Sequence, residues 1–199
     1  MYNKEVLDRI EAFATSMLMS DSVCKLCYHN IDHTLRVVEN VEYIALKEGV
    51  SDEEMFVLKT IAWLHDLGYS KRYKGHEDES ILIAEELLKK ENVHSSLIDK
   101  VTQGINATRV PQQPKSKLDK IISDADLFDL GTKEYFEVSE KLFTEWNNCI
   151  LPDDNRDNWL LSLKFLKEHR YFTNYANTVL EPKKQENIRL LELRLKITD

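Results

Sequence analysis

The chain has 199 residues, 42% hydrophobic and 31% charged, with three cysteines and a formal net charge of −8. That balance reads as a globular domain with a core of its own. It excludes a spanning helix, since no apolar run approaches ~18 residues. It also excludes a disulfide scaffold and argues against duplex nucleic acid as a partner.

The opening MYNKEVLDRIEAF is charged from Lys4 onward and lacks a signal-peptide core, so a cytoplasmic location is expected, with no membrane partner. From there the periodicity is helical nearly throughout. Val6, Ile10, Phe13 and Met17 predict a helix over 2–19. Cys24 and Cys27 follow in CxxC spacing, but without a second ligand pair they read as free thiols rather than a zinc knuckle. Val37, Val41 and Ile44 form the stripe of a helix over 31–47, and Gly49 is its expected stop. Ser51 with Glu54 makes a capping box for the next helix, which is expected to end near Gly68.

A short polar loop over 69–75 precedes helices over 76–90 and 95–107, and Pro111 and Pro114 mark a further loop. Helices are then predicted over 117–129, 132–147, 156–168 and 171–178. The last, over 182–197, starts on Pro182, a favourable first-turn residue. Its broad apolar face either packs on the domain or pairs with a second subunit, which leaves a homodimer open. Alternating strands, repeats and linkers are absent. The expectation is one compact, multi-helix, all-α domain over 1–199, with a motif core at about 25–135 and helices over 132–199 packed on it.

Three separated segments concentrate histidine and aspartate: YHNIDHT at 28–34, WLHDLGY at 63–69 and SDADLFDLG at 123–131. His65 shares a stripe with Leu58, Ile61 and Ala62, so it faces inward, and Asp66 follows it. A carboxylate turned into a core is costly without a compensating charge, and a metal ion is one efficient compensation. His33 shares the stripe of Val37, Val41 and Ile44, and Asp126 lies on a face with Ile122 and Ala125. Singly, each would read as a core histidine or a helix cap. Several at once, on separate helices, point to a shared site. Two imidazoles and two carboxylates suit a divalent ion such as Mn²⁺, Fe²⁺, Co²⁺ or Zn²⁺.

The order His33, then His65-Asp66, then Asp126 resembles the HD-domain metal-dependent phosphohydrolase superfamily, over roughly residues 25 to 135. The resemblance implies an all-helical HD-domain fold and one or two divalent ions, with Mg²⁺ added to the candidates. It implies His33, His65, Asp66 and Asp126 as ligands, Asp124 being the alternative fourth ligand or a group that orients one. YHNIDHT is similar to the YHNxxH motif of cyclic-nucleotide phosphodiesterases, which implies His29 as the general acid to the leaving oxygen. Many HD proteins carry a His-Glu pair after the doublet. In GHEDES that pair implies His76 as a second-metal or phosphate contact and Glu77 as a water-positioning group.

The implied catalytic set is thus His29, Asp126 and Glu77. The other reading of Glu77 is a first-turn acid favoured by the helix dipole. Lys71, Arg72 and Lys74 form a local basic cluster able to contact an anionic substrate. The second His of the phosphodiesterases, the HDxxED arrangement of guanosine tetraphosphate hydrolases and the HH pair of cyclic-di-nucleotide hydrolases are absent. The expected activity is hydrolysis of a phosphoester by metal-activated water, on a small phosphorylated substrate with a nucleotide preferred. The alternatives are a nucleotide-sensing module without turnover and a di-iron oxygenase that needs further ligands.

Overall fold

The structure, a computed structural model, describes residues 4–20, 26–149 and 158–196. Helix α1 (Lys4–Leu18) buries Val6, Ile10, Ala14 and Leu18. Phe13, assigned to that stripe from its spacing, instead lies at the surface, because α1 offers α3 only a narrow seam. Helix α2 (Ile31–Glu48) starts where the Asn30 side chain accepts from the N–H groups of Asp32 and His33. It stops at Gly49, whose φ of 63° suits a residue without Cβ.

Helix α3 (Asp52–Leu64) opens on the expected Ser51–Glu54 capping box and is buried almost all round from Phe56 on. It is the central rod, touching α1, α2, α5 and α6. It ends at Leu64, short of Gly68, and the chain tightens into a 3-10 turn at Leu67–Ser70. Gly68 has a different role from a helix stop. A Cβ there would overlap the backbone oxygen of His76 and lie 2.8 Å from the Ser80 nitrogen. The missing side chain lets α4 (His76–Lys90) dock against the turn, with Gly68 N–H donating to Ser80 Oγ at 2.8 Å. Helices α5 (Ser95–Ala107) and α6 (Lys117–Asp126) complete the main core with α1 to α4.

Past α6 the sequence reading needs correction. The helix predicted to Asp129 closes at Asp126, and Phe128–Gly131 form a second 3-10 turn. Thr132 is extended, so α7 (Tyr135–Cys149) starts after the predicted 132. Helix α8 spans Asn158–Glu168, while its predicted start at 156 lies outside the described residues, as do Cys24 and Ile197. The separate helix predicted over 171–178 and the fresh start at Pro182 are also replaced. The chain turns helical at Asn174 and runs through a π turn, Ala176–Leu180, straight into α9 (Glu181–Leu195). Pro182 has no N–H and its ring crowds the preceding turn. The wider π turn, with Glu181 N–H reaching Ala176 O, makes that room without ending the helix.

Helices α7 to α9 build a smaller core from Tyr135, Leu163, Leu166, Ile188 and Leu191. Asn187 ties α9 to the second 3-10 turn, donating to Leu130 O and Thr132 O at 2.9 and 2.8 Å. Only one stripe of α9 is covered, and Leu190 and Leu193 stay at the surface. The fold is all-α, with no strand among the described residues and no helix there long and apolar enough to cross a membrane.

Candidate metal centre and active site

Three helix ends converge on one point. His33 comes from the first turn of α2, His65 and Asp66 from the exit of α3, and Asp126 from the last residue of α6. Asn40 on α2 donates to Ala125 O at 3.2 Å and holds α6 beside it. Adjacent residues on a helix point about 100° apart. Asp66 nevertheless joins His65, because its backbone has left the helix at φ −105°, ψ 2°. His33, His65 and Asp66 are buried, and their ligand atoms lie within 4.8 Å of one another. Nε2 of His33 is 3.4 Å from Asp66 Oδ2 and 3.3 Å from Asp126 Oδ1. Nε2 of His65 is 3.2 and 3.5 Å from the same two oxygens.

These residues fit a divalent ion. Ligands about 2.1 Å from a centre lie about 3.0 to 3.4 Å apart in octahedral or tetrahedral arrangements. His65 Nε2 and Asp66 Oδ2 are buried without hydrogen-bond partners, an expensive condition for a purely structural cluster. His65 Nδ1 donates to Ala62 O at 2.8 Å, which leaves the Nε2 lone pair facing the other ligands. Burial alone would raise the pKa of Asp126, but the His33 and His65 rings beside it outweigh that and hold it at about 2. Burial alone would lower the pKa of His65, and Asp66 and Asp126 raise it well above the ordinary value. Both directions mark a pocket that favours positive charge.

Asp66 faces two ways, for Oδ1 is 3.2 Å from His76 Nε2. Asp124 turns from this point and accepts from the N–H groups of Phe172 and Thr173, pinning the approach to α9. Beside the cluster, His29 is held by Glu145 of α7. The His29 Nδ1 bonds Glu145 Oε1, while Glu145 Oε2 accepts the N–H groups of Tyr28 and His29 at 2.7 and 2.9 Å. Tyr73 OH donates to the same carboxylate at 2.8 Å. Tyr69 OH lies 3.1 Å from His29 Nε2, and its ring stacks between His29 and His76. Glu145 is fully buried, and although burial pushes its pKa up, the His29 bond and charge hold it below the usual range.

A cavity of about 430 Å³ opens on these groups. His29, Asp66, His76, Glu77 and Asp126 line one end of it, and α7 and α8 wall the other. Glu77 pairs with Arg109 at 3.2 Å. The structure does not bring Lys71, Arg72 and Lys74 to that wall. All three are exposed, and Arg72 is engaged by Asp78 and Glu79. Cys27 is a free thiol. Sequence reasoning missed Glu145, Tyr69, Tyr73 and Arg109. The only trace of Glu145 was an acid set between Phe143 and Trp146, and such acids mostly face water.

An all-helical body with a His/Asp cluster at converging helix ends is the architecture seen here, and residues 30–131 match the family model for the HD domain. The chain belongs to the HD domain family. It is 33% identical over 84 residues to an uncharacterized protein of Clostridium beijerinckii, a match taking in 41% of this chain and 53% of the relative. The matched stretch thus spans about half of that relative's length.

Among solved structures, the Lin1889 protein of Listeria innocua superposes with a TM-score of 0.65 at 19% identity, covering 100% of both chains. A predicted HD superfamily hydrolase from an uncultured Thermotogales bacterium gives 0.60 at 20%, covering 98% of this chain and 92% of that one. YpgQ of Bacillus subtilis, crystallised in complex with ADP, gives 0.64 at 19%, covering 96% and 95%. These likenesses establish the shared fold.

Proposed function

We propose that this chain is a metal-dependent phosphoester hydrolase, with the ion held by His33, His65, Asp66 and Asp126. One observation carries the reading: ligand atoms from separate helix ends, two of them buried and unpaired, lie at the head of a cavity large enough for a small substrate. When bound, a divalent ion activates water and neutralises phosphoryl oxygens. Glu145 accepts the hydrogen bond from Nδ1–H of His29 and fixes the ring, so Nε2 is the atom that carries the transferable proton. Water oxygen bonds to phosphorus as one of its protons passes to solvent, the ester P–O bond breaks, and the Nε2 proton goes to the departing oxygen, a contribution of typically ~10²–10⁴-fold. The Tyr69 hydroxyl at Nε2 keeps that nitrogen directed before substrate arrives.

His76 faces the free oxygen of Asp66 and suits either a phosphoryl oxygen or a second cation. Glu77, tethered by Arg109, stands beside it to orient water. The substrate is a small phosphorylated molecule. The ADP bound to YpgQ supports a nucleotide among the candidates.

The test is to count metal per chain and assay phosphomonoesters, phosphodiesters and nucleotides with Mn²⁺, Mg²⁺, Fe²⁺, Co²⁺ and Zn²⁺. His65→Ala is expected to lose both metal and turnover, and His29→Ala to keep metal and lose turnover. A chain that binds no divalent ion under any of these conditions would sink the reading.

A further inference from the structure

The two ends of the cavity differ in chemistry. Beyond the His/Asp cluster the wall is made by Leu130, Val138, Leu142, Phe143, Trp146 and Phe165. Of the polar groups there, Tyr135, Ser162 and Thr108 are engaged by protein, and Ser139 and the Trp146 indole N–H are the others. Tyr135 OH and Ser162 Oγ bond each other at 2.6 Å, and Thr108 Oγ1 donates to Ile105 O at 2.8 Å. Among the described residues, no asparagine or glutamine lines the cavity to read the edge of a base.

Charge narrows the choice further. Among the described residues, the lining contains Asp66, Glu77, Asp126 and Asp129 but no lysine or arginine. Arg109 is engaged by Glu77 and Asp78, and Arg36 stands behind the lining with its Nε 3.4 Å from Asp129. A di- or triphosphate needs cationic partners for each added phosphate. One ion at the cluster neutralises one phosphate, and beyond His29 and His76 nothing on the described lining offers a cationic partner to a second.

We infer that the cavity selects monoesters of phosphate whose organic part is apolar, with the phosphate at the His/Asp end and the hydrocarbon between α7 and α8. This rests on the hydrolase reading above and narrows its substrate away from nucleoside polyphosphates. Such an ester gains from burial of its hydrocarbon, while a sugar placed there would lose hydrogen bonds to water that the wall does not replace.

Two measurements on the Mn²⁺-loaded full chain test it. Titration calorimetry follows ethyl-, butyl- and hexylphosphonate, AMP and ADP. Kinetics follow the matching n-alkyl phosphates, whose leaving alcohols are of similar acidity. Each added methylene is expected to tighten binding by about threefold to fourfold, from ~0.8 kcal/mol per buried methylene and 1.4 kcal/mol per tenfold. The ratio kcat/KM should climb in step, and hexylphosphonate should outbind ADP. Val138→Asn and Leu142→Asn should flatten the dependence on chain length. Binding indifferent to chain length, or ADP binding the tighter, overturns the inference and leaves the hydrolase reading intact. Graded phosphonate binding with no ester turned over under any divalent ion supports the pocket and removes the hydrolase reading instead.

Discussion

Replacing Glu145 with glutamine removes one charge and almost no volume. Its carboxylate holds four donors: two backbone N–H groups, the Tyr73 hydroxyl and Nδ1 of His29. A glutamine has one acceptor oxygen. If that oxygen keeps the backbone pair, the amide nitrogen faces Nδ1, and His29 must give up its proton there and adopt the opposite tautomer. Hydrogen bonds to a charged group contribute about 1.5–3 kcal/mol against about 0.5–1.5 kcal/mol for neutral ones, so a loss of about 1–3 kcal/mol in stability is expected. Glu145→Ala strands both N–H groups, at about 1–3 kcal/mol each, for about 2–6 kcal/mol in all.

The catalytic effect of glutamine should be larger, a fall in kcat of about 10²-fold or more as general-acid assistance is lost. Metal affinity should not move, since no ligand atom is touched. Urea unfolding, Mn²⁺ titration and turnover of one ester read the three quantities separately. The pH dependence has a definite sign. The pKa of Glu145 is depressed on folding, so its stabilisation is complete above the unfolded value of about 4.3 and disappears as pH falls through the folded value. Glu145→Gln should lack that acid-side slope. A glutamine variant with wild-type stability and kcat within about twofold, against the ~10²-fold expected, would refute the assignment of His29 and Glu145 as a working pair.

Further outcomes are expected elsewhere. Gly68→Ala must push the start of α4 off the turn, because the new Cβ meets backbone rather than a movable side chain. Overpacking of this kind costs about 1–3 kcal/mol, read as a lower Tm, and a normal Tm would show that α4 yields freely. Mn²⁺ at about 100 times Kd should stabilise the wild type by about 2.7 kcal/mol, and Asp66→Ala should show no shift. Burial and the Lys184 ammonium hold the pKa of His169 down at about 4. A depressed histidine stabilises above its unfolded value of about 6.5, so stability should fall between there and about pH 4. His169→Asn should remove that slope, and a parallel slope in the variant would assign it to other groups.

The fold was legible where periodicity and caps agree. Ser51 with Glu54, and Gly49 after the stripe of His33, Val37, Val41 and Ile44, describe the start of α3 and the stop of α2 as they stand. The same stripes pointed His33 and His65 inward. Local pattern failed where tertiary contact decides. Gly68 reads as a helix stop in one dimension and is a contact to His76 in three. Pro182 reads as a start because the sequence does not reveal the π turn that accommodates it. Glu145 sits 116 residues from His29 along the chain, and no spacing rule connects them.

That separation divides the labour of the molecule. The proposed cation ligands all fall inside the stretch shared with the HD family, whereas the carboxylate that bonds His29 and most of the apolar wall belong to α7 and α8 beyond it. The proposed ion site and most of the pocket wall are therefore encoded in different parts of the chain. Under the proposed reading, substitutions in the α7 and α8 wall that spare Glu145 leave the ion ligands and the His29 contact in place, so that wall is the place to begin any effort to re-engineer selectivity.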